Sequence, residues 1–259
     1  MISARDTIAA LWLKHGFKWD ECYRAIKSKE PLPMDENGSP SEKGIDYVTI
    51  LDDGYPKELT KAPKPPFVLF YKGDLSILKT GARIMAIVGP TAANEATKTA
   101  TERLVSDLAM ETVFAVPILG RAAQQTIESA VSSGAKIVGI VPHDIESDET
   151  AYKEAASKIL SNGGLLISEY AGGKAPPDSK AMSFRILASL ADATLVTDST
   201  KRGPERLAIA MALNCGKEVA CLPHEPGTSE NNSYIKEGAA LVEGADDLRL
   251  LFNTIRKEP

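Results

Sequence analysis

The chain has 259 residues, enough to bury one large domain or one domain with a small appendage. Its residues are 43% hydrophobic and 25% charged, which is ordinary for a soluble globular protein and excludes wholesale disorder. The net charge of −5 argues against a protein that coats nucleic acid nonspecifically, although it permits a local basic groove.

The first 45 residues are predicted to form a small helical appendage followed by a linker. Apolar residues recur at helical spacing through residues 3–28, and residues 31–44 are rich in proline, glycine, serine and acidic side chains. Short strands are then predicted at residues 47–51 and 67–71.

From residue 83 onward, apolar strand patterns alternate with helical patterns. Strands are predicted at residues 84–88, 112–116, 137–141, 165–168, 194–197 and 218–222. Helices are predicted at residues 92–110, 124–133, 149–161, 184–190, 204–214 and 245–255. Successive strand–helix units give a parallel sheet, and uniformly apolar strands are buried on both faces. Residues 46–259 are therefore predicted to form a Rossmann-like, doubly wound α/β domain with a mostly parallel sheet.

Cysteine and histidine usage argues against a metal site or a disulfide framework. Cys22, Cys215 and Cys221 are odd in number and form no CxxC pair, so buried thiols are predicted. The histidines show no metal-ligand spacing, and we expect neither a metal nor a cofactor. No apolar run approaches the length of a membrane span, which favours a cytoplasmic protein without a membrane partner.

The loop after the first parallel strand is one candidate ligand site, because such sheets bind ligands beyond the carboxyl ends of their strands. Gly89 permits a tight turn and the approach of a phosphate to the following helix, and the Thr91 hydroxyl adds a donor. However, Pro90 removes one amide donor. A purely structural turn, with Thr91 capping the helix, is an equally good interpretation.

Basic side chains follow three of the other predicted strands and are candidates for binding phosphate. They are Arg121, Lys180, Arg185, Lys201 and Arg202. Lys180 and Arg185 belong to residues 165–200, which join a strand, a polar loop, a helix and a second strand. The alternative for Arg121 is a solvated arginine at a helix start, and the alternative for Lys201 and Arg202 is a solvated charge run in a loop.

Two further residues raise the alternative of a nucleotide-binding or nucleotide-processing protein. Glu169 ends a predicted strand and is suited to act as a general base or to bind a ribose hydroxyl. A loop-organising acceptor is the favoured interpretation of Glu169. His224 is the single histidine at the predicted ligand edge. The Pro-Gly-Gly-x-Gly-Thr loop of nucleotide-cleaving relatives is absent, and GGKAPP at 172–177 does not replace it.

Several segments together resemble the DNA-processing protein A family, also called the Smf family, the recombination mediators of bacterial transformation. They are YPKEL at 55–59, PPFVLFYKGD at 65–74, IMAIVG at 84–89, GGLLISEY at 163–170, FRILASLADATLVTD at 184–198, GKEVACLP at 216–223 and NNSYIKEGAALV at 231–242. The resemblance covers about four fifths of the chain. It implies non-catalytic binding of single-stranded DNA in a basic groove, a homodimer and a recombinase as partner.

The resemblance also implies roles for particular residues. Asn232 falls on the asparagine of the family's late loop, and Arg185 on the last residue of its Arg-Asn-Arg segment. Phe184 stands where that asparagine would be; it is a candidate for stacking a base, worth about 1–3 kcal/mol, although a core position is the commoner role. The arginine that usually follows the first turn is missing beyond Gly89. The scaffold thus resembles the family more closely than its ligand edge does.

Overall fold

The computed structural model describes residues 3–32, 44–78, 81, 83–90, 93–119 and 123–255. The helices described are α1 (Ala4–Lys14), α2 (Trp19–Ser28), α3 (Glu95–Asp107), α4 (Gln124–Ser133), α5 (Thr150–Ser161), α6 (Ser179–Leu190), α7 (Glu205–Asn214), α8 (Asn231–Lys236) and α9 (Ala245–Ile255). The strands described are β1 (Tyr47–Thr49), β2 (Val68–Gly73), β3 (Arg83–Val88), β4 (Thr112–Pro117), β5 (Ile137–Val141), β6 (Leu165–Ser168), β7 (Ala193–Val196), β8 (Glu218–Cys221) and β9 (Ala240–Leu241).

These strands form one sheet in the order β1-β2-β6-β5-β4-β3-β7-β8-β9. β1 and β2 are antiparallel additions at one edge, where Phe70 of β2 lies opposite Ser168 of β6. The remaining neighbouring pairs are parallel. The mostly parallel, doubly wound Rossmann-like fold predicted from the sequence is therefore confirmed.

Helices cover both faces of the sheet, as its apolar strands require. One face packs against α3, α4, α5 and α9, through side chains that include Leu104, Ile127, Ile159 and Phe252. The other face packs against α6 and α7, and residues 183–190 of α6 are buried without interruption. Because α6 lies in the core on nearly all sides, a charged side chain on it must find a partner inside the protein.

The order of the strands places a crevice between β3 and β7. After β3 the chain builds the sheet outward through β4, β5 and β6, and it then returns to add β7 on the other side of β3. Such a switch point is where open α/β sheets bind ligands. The ends of β3 and β7 lie so close together here that a Cβ atom added at Gly89 would overlap the Oγ1 atom of Thr197. Gly89 is thus required by the packing of the two strands.

The two amino-terminal helices pack onto the sheet domain through aromatic side chains. Trp12 is 1% exposed, and its Nε1 donates a hydrogen bond of 2.7 Å to the carbonyl oxygen of Glu169. Nε1 of Trp19 donates to the carbonyl oxygen of Pro65 at 2.8 Å. Phe17 makes an edge-to-face contact with Tyr170, with 5.5 Å between the ring centroids. The helices predicted within residues 3–28 are confirmed, whereas residues 33–43 of the expected linker lie outside the described residues.

Two of the three cysteines are buried, as the sequence predicts. Cys22 and Cys221 are buried free thiols, and burial raises the pKa of each thiol to about 12. Cys215 is half-buried and also free. Among the described residues, no helix combines the length and apolar character needed to cross a bilayer.

Candidate functional site

A cavity of about 390 Å³ lies at the switch point, beyond the carboxyl ends of β3, β4 and β5. Its wall is mainly apolar and includes Ile118, Leu119 and Phe184. Its polar side chains include Lys180 and Glu205, which come from the first turns of α6 and α7. The volume falls within the range of small-molecule sites, and a few polar groups on an apolar wall are typical of them.

Glu205 is the least expected residue of this cavity. It is 1% exposed, and neither oxygen of its carboxylate has a hydrogen-bond partner among the described residues. Burial raises the pKa of this carboxyl, its own backbone amide opposes the shift, and Asp198 adds to it. A Cβ atom at Gly203 would overlap the carboxylate in this position, so the glycine two residues upstream leaves room for it.

The buried carboxylate of Glu205 should make stability depend on pH. The folded-state pKa of Glu205 lies above the ordinary value of 4.5, so ionisation destabilises the folded protein as pH rises from 4.5 through that raised pKa. We expect Glu205→Gln to be more stable than the parent protein at pH 8, by about 1 kcal/mol or more. The difference should vanish below pH 4.5, because the parent carboxyl is then neutral in both states.

Urea unfolding of both proteins between pH 4 and pH 8 measures this difference. A constant difference across the range would show that Glu205 titrates normally in the folded protein. Glu237→Gln is the control, because it makes the same chemical change at an exposed residue at the end of α8.

Several cations remain open at the carboxyl edge of the sheet. Lys180, Lys201 and Arg202 are exposed, and in the described part of the chain none of them pairs with an acidic side chain. Lys174, in the loop between β6 and α6, is likewise exposed and unpaired there, and it was not singled out from the sequence. Thr91 and Arg121, the remaining predicted phosphate contacts of this edge, lie outside the described residues.

Arg185 and Glu169 are placed in the interior instead of at the ligand edge. Nη2 of Arg185 donates to both carboxylate oxygens of Glu169, at 2.6 and 2.7 Å, and the two side chains are only 3% and 2% exposed. Nη1 of Arg185 also donates to the carbonyl oxygen of Lys64. The sequence suggested that Arg185 contacts phosphate and that Glu169 contacts a nucleotide. The structure corrects both expectations, because the two side chains are buried and form an ion pair with each other.

This ion pair links four parts of the chain. Glu169 follows β6 and receives the Trp12 hydrogen bond of α1 on its backbone, while Arg185 joins α6 to Lys64 in the segment before β2. Burial raises the pKa of the Glu169 carboxyl, and Arg185 opposes that shift. The pair therefore organises the loop, the role that the sequence favoured for Glu169.

Three other predicted site residues also have structural partners. Phe184 is 4% exposed inside α6, so a base would reach its ring only from within the cavity and not on an open surface. Oδ1 of Asn232 accepts from the backbone N–H of His224, and Nδ2 donates to the His224 carbonyl. The His224 side chain is 7% exposed, with Nε2 2.9 Å from the carbonyl oxygen of Thr197.

The sequence did not single out Asn231, which is fully buried beside them. Its Oδ1 accepts from the Ser199 hydroxyl, and its Nδ2 donates to the carbonyl oxygens of Val196 and Leu222. Asn231 thereby ties the ends of β7 and β8 to the following loops. The paired asparagines in NNSYIK were the available signal. Among the described residues, no cluster of three metal-ligating side chains occurs.

The fold and the crevice together define a class of protein: a doubly wound α/β protein with a cavity at the switch point of its sheet. Exposed cations lie at the same edge of the sheet. A family model described as DNA recombination-mediator protein A matches residues 46–253. The chain belongs to that family.

Curated relatives and solved structures agree with this assignment. The DNA processing protein DprA of Streptococcus pneumoniae is 26% identical over 208 residues, which cover 79% of this chain and 73% of the relative. DprA of Bacillus subtilis is 23% identical over 217 residues, covering 80% and 71%. The solved structure of the S. pneumoniae protein matches with a TM-score of 0.73 at 24% identity, over 89% of this chain and 80% of that chain. The structure of DNA processing protein A from Helicobacter pylori matches with a TM-score of 0.69 at 22% identity, over 80% and 97%.

Proposed function

We propose that this protein binds single-stranded DNA at the carboxyl edge of its sheet and acts as a recombination mediator without catalysis. The observation that carries the proposal is a set of exposed cations at that edge, which have no acidic partner within the described ranges of the chain although the net charge is −5. They are Lys174, Lys180, Lys201 and Arg202. The related H. pylori structure is described for its single-stranded DNA binding mode, which supports the same assignment.

The proposal uses these cations for the phosphate backbone, since neutralising phosphates supplies most of the affinity of sequence-independent binding. The phosphate contacts expected from the sequence for Gly89, Thr91 and Arg121 remain part of the proposal. The proposal also includes a homodimer and a recombinase partner, as the resemblance implies. It further divides the chain into a helical appendage with its linker, residues 1–45, and the Rossmann-like domain, residues 46–259.

Replacing Lys180, Lys201 and Arg202 together with alanine should weaken the binding of a labelled oligothymidylate and flatten its dependence on salt. For single strands the slope of log K against log salt changes by about 0.7 for each phosphate contact, so the slope should become shallower by about 2. Fluorescence anisotropy over a range of salt concentrations measures both effects.

The matched control replaces Lys61, Lys136 and Lys217, which lie toward the amino ends of the strands, at the opposite edge of the sheet. It removes the same number of charges and should leave the slope unchanged. Equal losses in the two variants would mean that only the net charge matters, and the absence of binding by the parent protein at low salt would contradict the proposal.

A nucleotide-binding protein is the second candidate function, and the mainly apolar cavity at the switch point, lined by Lys180, favours it. A nucleotide that binds the folded protein raises its midpoint of unfolding by mass action, with no need for a polymer. Thermal unfolding against a panel of nucleotides distinguishes the two candidates: a flat panel, together with salt-dependent binding of the oligonucleotide, leaves DNA as the ligand.

A further inference from the structure

An aromatic stack that begins in the core ends in an exposed ring on α2. Trp19 stacks on Tyr23 and on Phe67, with 5.1 Å between the ring centroids in each pair and interplanar angles of 10° and 19°. Phe67 is buried, Trp19 is half-buried and Tyr23 is 47% exposed, so the stack runs from the core to the surface. In the described part of the chain, no ring other than Trp19 contacts Tyr23. The outer end of the stack is therefore available to a flat ligand.

This stack lies at the carboxyl edge of the sheet. Phe67 precedes β2, and β2 runs antiparallel to β6, so Phe67 lies beyond the carboxyl end of β6. Phe17, in the turn before α2, contacts Tyr170 edge to face, and a Cβ atom at Gly173 would lie 3.2 Å from its ring. The two amino-terminal helices thus contact the loop that carries Lys174, one of the exposed cations of that edge.

Cations that are not neutralised locally accompany the stack. Arg24, Lys27 and Lys29 are exposed, and within the ranges that the structure describes none of them pairs with an acidic side chain. Trp19, Tyr23 and Lys27 follow one another at four-residue intervals, which places this lysine beside the exposed ring on one side of α2. Each acidic side chain of residues 19–30 is already paired with a lysine, in the pairs Asp20–Lys64, Glu21–Lys18 and Glu30–Lys14, at 2.6, 3.1 and 2.6 Å.

A flat ring beside unpaired cations is complementary to a single-stranded polynucleotide. Every base has a face that stacks on an aromatic side chain, whatever the sequence, and the phosphates on either side of that base meet the cations. A duplex keeps its base faces stacked on one another, and an acidic peptide brings negative charge without a row of flat rings. A single strand is therefore the ligand that uses both features of α2.

We propose that α2 carries a second contact for single-stranded DNA, in which a base stacks on Tyr23 and neighbouring phosphates bind Arg24, Lys27 and Lys29. This inference rests on the proposed function, because it extends the strand from the cations of the carboxyl edge onto the amino-terminal helices.

Tyr23→Ala is the first test, with a labelled oligothymidylate and fluorescence anisotropy as the measurement. The variant should bind about fivefold to a hundredfold more weakly, the effect of removing one stacking side chain. Its dependence on salt should match that of the parent protein, because stacking neutralises no phosphate. Tyr23→Phe keeps the ring and should bind as the parent does. Met110→Ala is the control, since it removes an exposed apolar side chain beside the amino end of β4, at the opposite edge of the sheet.

A strand of abasic nucleotides tests the stacking itself. Such a strand keeps the sugar–phosphate backbone but gives Tyr23 no base to stack on. The parent protein and Tyr23→Ala should therefore bind the abasic strand equally, although they differ for the oligothymidylate. Equal weakening of Tyr23→Ala on both strands would mean that the substitution acts through the fold, and it overturns the inference.

The cations of α2 should act on the salt dependence instead. Replacing Arg24, Lys27 and Lys29 together with alanine should make the slope of log K against log salt shallower by about 2, at about 0.7 for each phosphate contact. The variant lacking Lys61, Lys136 and Lys217 is again the matched control. A slope equal to that of this control contradicts the inference.

The inference and the proposed function fail in different ways. Salt-dependent binding by the parent protein that is unchanged in Tyr23→Ala overturns the inference, keeps the proposed function and leaves the stack to a protein partner. Binding that depends on Tyr23 but not on Lys180, Lys201 and Arg202 supports the inference and contradicts the use of those cations by the proposed function. The absence of oligonucleotide binding by the parent at low salt contradicts both.

Discussion

Removing either partner of the Glu169–Arg185 ion pair is expected to lower the free energy of unfolding by about 3–5 kcal/mol. Both side chains are almost fully buried, and two hydrogen bonds of 2.6 and 2.7 Å join them. Arg185→Met would leave the Glu169 carboxylate without its cation, and Glu169→Gln would leave a guanidinium without its anion. Urea unfolding at pH 7, followed by circular dichroism, measures both losses.

The double variant Glu169→Leu with Arg185→Met is the control for this prediction. It removes both charges at once, and apolar replacements of buried ion pairs are commonly neutral or stabilising. We expect it to recover most of the stability that either single variant loses. Losses below about 1 kcal/mol in both single variants would contradict a buried, mutually dependent pair.

The same variants separate a structural role of Arg185 from contact with DNA. If the guanidinium is used by Glu169, the double variant should keep the salt dependence of oligonucleotide binding that the parent shows. A slope as shallow as that of the variant lacking Lys180, Lys201 and Arg202 would place Arg185 on the phosphate backbone after all.

The fold could be predicted from the sequence because it rests on local apolar patterns. β6 and α4, for example, have the predicted bounds, since a short apolar run and a helical repeat each mark their own ends. The helix predicted at residues 184–190 begins at Ser179 instead, because its polar first turn follows two prolines and resembles a loop. The two residues of β9 and the six of α8 were too short to show a period.

The candidate site was only partly predictable, because its chemistry depends on contacts distant in sequence. The carboxyl ends of the strands follow from the topology, which is why Gly89 and Lys180 could be placed near the cavity. A cation is available to a ligand only if no acidic side chain pairs with it, and such partners are distant in the sequence. Arg185 binds Glu169, 16 residues away, and the backbone of Lys64, 121 residues away. Glu205 escaped notice because an acidic residue at a helix start ordinarily complements the helix dipole. Gly203, which makes room for its carboxylate, was the available signal.

Trp12→Ala should cost about 3–5 kcal/mol of the free energy of unfolding, the usual range when a buried aromatic side chain is removed. Trp12 is 1% exposed, contacts Phe17 and Phe67 edge to face, and donates to the backbone of Glu169. The loss should appear in one cooperative transition, since the side chains of α1 belong to the same apolar cluster as one face of the sheet.

Two variants set the scale of the Trp12 effect. Trp12→Phe keeps an aromatic ring but loses the hydrogen bond, and it should cost less than the alanine variant. Tyr23→Ala removes an aromatic ring that is 47% exposed on α2, and it should cost little. Unfolding by urea, monitored by tryptophan fluorescence and by circular dichroism, gives coincident curves if the amino-terminal helices and the sheet unfold together. Separate transitions, with the helices melting first and the sheet keeping its stability, would show that the helices are a dispensable appendage, and the Glu169–Arg185 pair would then depend on Lys64 and the core alone.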